Sequence, residues 1–165
     1  MTDVLLYAAL CEPGQEKETA YRLLAVLLER ECRISPLPLI ERQAGGKPFF
    51  PGHPDLHFNV SHSAGCAVCA VHDQPLGVDV ERLRHAPRRA AKGMDDESFF
   101  RSWTAREATI KRQGRGWTAL LGQVEPHPNC LHFTDLLPGC VVCLCPSEKS
   151  SVRTVRLEPK ELEES

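Results

Sequence analysis

Two valine-rich runs, GCAVCAV at 65–71 and GCVVCLC at 139–145, constrain this chain more than any other feature. Each is a short apolar stretch with β-branched residues, which predicts a strand buried on both faces. They begin 74 residues apart in a chain of 165, which suggests two similar halves. A CxxC pair sits in each run, Cys66 with Cys69 and Cys140 with Cys143, with Cys145 beyond. Four thiolates can close a tetrahedral zinc site, but residues three apart on a strand face opposite sides, so one pair can hardly reach one metal. Eight cysteines are too few for a secreted disulfide scaffold. They are expected to be free, buried thiols in a reducing cytoplasm.

Around these runs the chain reads as one α+β domain, 1–165, with halves of about 1–82 and 95–165. In the first half, Val4 to Ala9 predicts a strand and Glu16 to Glu31 a helix with an apolar stripe of Ala20, Leu23, Leu24, Leu27 and Leu28. Strands follow at Leu56–Val60, Ala67–Val71 and Leu76–Val80, the last two expected to form a hairpin across Asp73-Gln74-Pro75. A basic stretch from Arg82 to Lys92, without an acidic residue after its start, reads as a mobile connector. The second half predicts helices near Glu97–Trp103 and Thr104–Gln113, a stop at Gly114-Arg115-Gly116, and strands near Cys130–Phe133, Val141–Cys145 and Val152–Leu157 in a second small sheet. An acidic tail carries Glu161, Glu163 and Glu164. No apolar run approaches the roughly 20 residues of a membrane span, and a formal net charge of −2 gives no general attraction to nucleic acid.

Candidate chemistry lies in four places. Asp79 and Glu81, at i and i+2 on a strand, put two carboxylates on one face. A hard cation such as Mg²⁺ would relieve their repulsion, and a solvated edge pair is the plainer alternative. Glu107 and Lys111 share a helix face, where a carboxylate could join a metal site and an ammonium meet a phosphate. An i,i+4 ion pair, or a capping box from Thr104 to Glu107, explains the same spacing. Trp103 reads as core. Ser61 and His62 stand at a strand boundary, suited to hydrogen-bonding an anion rather than to nucleophilic catalysis, since no G-x-S-x-G elbow is present. Lys47, in the turn Gly45-Gly46-Lys47-Pro48, could reach a phosphate or simply be solvated; the turn is not a P-loop.

In this order, GGKPFF (45–50), FNVSHS (58–63), GVDVE (77–81) and WTAREATIK (103–111) followed by GRG (114–116) resemble the Sfp-type 4′-phosphopantetheinyl transferases. The likeness covers about Glu41 to Gly116 well, and PGCVVCLC (138–145) and the Glu-rich ending extend it. It implies an α+β pseudo-dimer with the site between its halves. It also implies transfer of the phosphopantetheine arm of coenzyme A to a serine of an apo acyl or peptidyl carrier protein, releasing adenosine 3′,5′-bisphosphate. A non-catalytic module that binds coenzyme A or carrier is the alternative. By resemblance, Asp79, Glu81 and Glu107 hold Mg²⁺, Lys111 neutralises charge at the pyrophosphate, and Lys47, Ser61 and His62 bind the phosphates of coenzyme A. Glu107, Lys111 and Asp79 are the candidate catalytic residues. Carriers of this kind are acidic, so Arg82–Lys92 is a candidate docking surface. The expected enzyme is a cytoplasmic monomer. Fewer residues than usual precede the SHS motif, so Arg42 or Arg33 is the candidate for the 3′-phosphate. Arg106 and Trp117 replace the usual lysine and leucine with like charge or bulk.

Overall fold

The computed structural model describes residues 3–114 and 124–163, so Arg115, Gly116, Trp117 and Glu164 lie outside the described residues. Its strands are β1 (Asp3–Leu10), β2 (Glu41–Arg42), β3 (Pro48–Phe49), β4 (His57–Ser63), β5 (Cys66–His72), β6 (Leu76–Arg82), β7 (Leu131–Phe133), β8 (Cys140–Pro146) and β9 (Ser151–Leu157). The helices are α1 (Glu16–Leu27), extended by a π-helical turn over Leu28–Cys32, then α2 (Arg88–Ala91), α3 (Asp96–Gln113) and α4 (Pro159–Glu163).

Four layers stack as helix, sheet, sheet, helix. The first sheet has the order β4-β5-β1-β9 and the second β6-β8-β7, with β2 and β3 forming a separate two-stranded ribbon. One core lies between the apolar stripe of α1 (Leu23, Leu24, Leu27) and the face of β1 and β5 carrying Tyr7, Cys69 and Val71. A second lies between the two sheets, where Leu6 and Val68 meet Val78, Val142 and Leu144. The outer face of β8 packs under α3, with Cys143 and Cys145 against Ala105 and Ala108. β5 and β8 are therefore apolar along their length because each is covered on both faces.

The predicted strands are present, with β2 and β3 in addition, but they are partnered differently. β5 and β6 do not form a hairpin: β5 pairs with β1 and β4, while β6 crosses to the second sheet and pairs antiparallel with β8. β9, expected in the second sheet, runs parallel to β1 in the first. Periodicity reports which residues are apolar, and both sheets offer an apolar layer to such a strand, so it could not distinguish them. The two helices predicted at 97–113 are one, α3. Its N-cap is Asp95, whose side chain accepts from the Ser98 N–H. Thr104 is mid-helix, donating to the Phe100 carbonyl at 2.8 Å, so the capping-box reading of Glu107 is wrong.

Cys66 and Cys69 do face opposite layers, as do Cys140 and Cys143. One member of each pair turns into the inter-sheet core, and there Cys66 and Cys140 are joined as a disulfide, which corrects the expectation of free thiols for these two. The connector is also more ordered than predicted. Arg88–Ala91 forms α2 with Ala91 buried, and the Arg84 guanidinium lies 4.8 Å from the centroid of Phe100.

Candidate active site

β4 and β6 are edge strands of different sheets, and α3 crosses above β6. That crossing is close because Gly77 has no side chain. A Cβ there would lie 2.0 Å from the Ala108 carbonyl oxygen and 2.5 Å from the Arg112 nitrogen. The near-contact sets Glu107 and Lys111, on the helix, against Asp79, two residues along the strand.

Asp79 is 5% exposed and Glu107 1% exposed. The Lys111 ammonium donates to Asp79 Oδ1 at 2.6 Å, to Ser61 Oγ at 2.8 Å and to the Val78 carbonyl at 3.2 Å. It thus bridges to the strand rather than pairing with Glu107, which disposes of the simple i,i+4 ion pair. Asp79 Oδ2 and both carboxylate oxygens of Glu107 are buried without a hydrogen-bond partner. Burial raises the pKa of Asp79 against the opposing pull of Lys111. Burial, reinforced by Asp79, raises that of Glu107 to about 7. Three unpartnered buried carboxylate oxygens are costly unless a proton or a cation meets them. All are hard oxygen donors, the kind Mg²⁺ prefers, so the residues fit a hard divalent cation. Glu81 is partly exposed and accepts from Ser63 Oγ at 2.8 Å and from Arg84 at 3.0 Å. Among the described residues no three His, Cys, Asp or Glu side chains already stand close enough to hold an ion.

These groups open into a cavity of about 560 Å³ whose lining includes Lys47, Ser61, His62, Asp79, Glu81 and Lys111. Six of the seven predicted site residues thus share one space. Glu107 is the exception, lying behind it in the α3–β6 seam.

Ser61 and Lys47 already have protein partners. Ser61 is buried, its hydroxyl donating to Asp79 Oδ1 at 2.9 Å while accepting from Lys111. Lys47 is not a solvated turn lysine. Its ammonium donates to the Arg112 carbonyl at 2.8 Å and to that of Leu76 at 3.1 Å, holding the C-terminal end of α3 where unsatisfied carbonyls favour a cation. Burial and the nearby Arg112 lower its pKa to about 8. His62 is exposed at the rim.

Arg42 lines the cavity, donating to the Gly46 carbonyl at 2.7 Å, whereas Arg33 follows the π-helical turn and is not in the lining. Sequence reasoning missed Lys17 and Tyr21, which α1 sends into the cavity. Their i,i+4 spacing marks a second face of a helix that was read only for its core stripe. It also missed Asn59, whose Oδ1 accepts from the Val78 N–H at 2.9 Å.

A carboxylate-rich seam beside a lysine-lined cavity suits a phosphorylated substrate. No family model matches this chain. It is 31% identical to the 4′-phosphopantetheinyl transferase Sfp of Bacillus subtilis over 174 residues, spanning 82% of this chain and 78% of that protein. With the 4′-phosphopantetheinyl transferase gsp of Aneurinibacillus migulanus it shares 30% over 183 residues, 87% of this chain and 76% of the other. The 4′-phosphopantetheinyl transferase AcpT of Salmonella typhimurium is 32% identical over 108 residues, 54% of this chain and 55% of its own. With the motifs, the seam that gathers them and relatives matched along most of their length, this chain belongs to the Sfp-type family of 4′-phosphopantetheinyl transferases.

Proposed function

We propose that this protein transfers the 4′-phosphopantetheine group of coenzyme A to a serine hydroxyl of an apo acyl or peptidyl carrier protein, releasing adenosine 3′,5′-bisphosphate. The observation that carries the reading is the cavity, which combines Lys47, His62, Arg42 and Lys17 with the acidic pair Asp79 and Glu81. Its lysines and arginine suit a phosphorylated nucleotide, and its carboxylates suit an ion bound to the pyrophosphate.

In this reading Asp79, Glu81 and Glu107 would hold Mg²⁺, which when bound would polarise the pyrophosphate and offset its charge. The carrier serine oxygen forms a bond to the β-phosphorus, and the bond from that phosphorus to the oxygen of the adenosine-bearing phosphate breaks. Glu107, directly or through a water, would take the serine proton. Lys111, freed from Asp79, stabilises the leaving phosphate. His62 and Lys47 bind the phosphates of coenzyme A, and Ser61 serves them from the cavity wall.

The same proposal treats the chain as one domain, 1–165, built as a pseudo-dimer with halves of about 1–82 and 95–165. In its favour, α1 covers one sheet and α3 the other. The partner is an acidic carrier docking on Arg82–Lys92, where Arg88, Arg89 and Lys92 are exposed. The enzyme is taken as a monomer in the cytoplasm. Among the described residues no helix is long and apolar enough to cross a membrane.

The test is intact-mass analysis of apo carrier proteins incubated with the protein, coenzyme A and Mg²⁺. The expected result is one added phosphopantetheinyl group, lost in Asp79→Ala. Glu107→Gln should lower turnover far more than coenzyme A binding. A protein that binds coenzyme A but modifies no carrier would be a binding module instead.

A further inference from the structure

The seam between β4 and β6 joins strands of two different sheets, and among the described residues no backbone ladder connects them. It is closed by side chains of β4 at a period of two. Asn59 Oδ1 accepts from the Val78 N–H at 2.9 Å. Ser61 Oγ accepts from the Val80 N–H at 3.3 Å and donates to Asp79 Oδ1 at 2.9 Å. Ser63 Oγ donates to Glu81 Oε2 at 2.8 Å. Residues 59, 61 and 63 share one face of their strand, and their targets advance in step along β6. Side chains thus stand in for the missing ladder, and two of the three end on carboxylates of the acidic pair.

We propose that Ser63 is a positioning residue for divalent-cation binding, its hydroxyl holding the Glu81 carboxylate toward the Asp79 side of the seam. The inference rests on the reading of Asp79, Glu81 and Glu107 as cation ligands. Its physical basis is a competition at one oxygen. Arg84 donates to the same Glu81 Oε2 at 3.0 Å, and it is fixed by a second bond to the Arg82 carbonyl and by the Phe100 ring. Without Ser63, Glu81 keeps only the partner on the connector side. A side chain whose orientation is no longer set must be ordered again by the incoming ion, which lowers affinity.

The test uses Mn²⁺ alone as the probe, its free concentration read by electron paramagnetic resonance on the full chain. Ser63→Ala should weaken Mn²⁺ binding roughly three- to tenfold, as loss of one partly exposed hydrogen bond to a charged group would. Its thermal midpoint should stay near that of wild type. Ser63→Thr and Ser63→Val differ only by the hydroxyl, so Thr should bind like wild type and Val like Ala even if β-branching alters folding. In a Glu81→Gln background, Ser63→Ala should add little further loss.

Wild-type affinity in folded Ser63→Ala, equal affinity in the Thr and Val variants, or an undiminished effect in the Glu81→Gln background would overturn the positioning role while leaving the cation reading intact. Absence of Mn²⁺ binding by wild type, with and without coenzyme A, would overturn both.

Discussion

Gly77→Ala tests whether the active seam depends on how closely α3 approaches β6. The added Cβ would lie 2.0 Å from the Ala108 carbonyl oxygen and 2.5 Å from the Arg112 nitrogen. Both are backbone atoms of a helix, so no side-chain rotation relieves the clash. Restoring ordinary contact requires the helix to retreat by at least about 1.4 Å. Overpacking of this kind costs about 1–3 kcal/mol. The functional cost should exceed the structural one, because Glu107 and Lys111 ride on the same helix and Lys111 reaches Asp79 at only 2.6 Å. A 1 Å misplacement of reacting groups can cost on the order of 100-fold in rate. Urea unfolding would measure stability, and initial rates of carrier modification would measure turnover. If Gly77→Ala retained turnover within threefold of wild type and lost under about 0.5 kcal/mol, the reasoning from close approach would be refuted.

Metal-free stability should fall as pH rises. Glu107 titrates near 4.5 when unfolded and about 7 when folded, so between these values the folded chain holds a proton that the unfolded chain has released. The stabilising contribution is present below pH 4.5 and is lost through pH 7, about 3 kcal/mol in all. Asp79 shifts in the same direction. Urea unfolding at pH 5 and pH 8 should show this slope, and Glu107→Gln should flatten it. Asn59→Ala strands the Val78 N–H and should cost about 1–3 kcal/mol by urea unfolding; under about 0.5 kcal/mol would mean that another acceptor replaces it. Replacing Arg88 and Arg89 with Glu should raise KM for an acidic carrier about three- to tenfold and leave coenzyme A affinity alone; an unchanged carrier KM would refute docking there.

Which residues are buried was legible along most of the chain. β5 and β8 were recognisable from Val-rich runs, and α1 from its stripe of Ala20, Leu23, Leu24, Leu27 and Leu28, because burial periodicity is written locally. The chemistry was legible in part. Asp79 and Glu81 share a face by strand geometry, and the order of four motifs identified the family. Nothing local showed that the Ser61 hydroxyl bonds Asp79 and Lys111, or that Lys47 holds the end of α3. Both partners come from distant chain segments, which no spacing within a motif encodes.

The sequence by itself determined the buried strands, the amphipathic helix, the acidic pair and the family, since each follows from residue type at short spacing. Tertiary structure alone decided that β6 would leave β5 for β8, that β9 would join β1, and that Cys66 would meet Cys140. β6 and β9 each carry apolar residues that either sheet can bury, so the partner is chosen by whole-layer packing. Only that choice sets β4 beside β6, leaves Val78 and Val80 to be bonded by Asn59 and Ser61, and brings Lys111 onto Asp79.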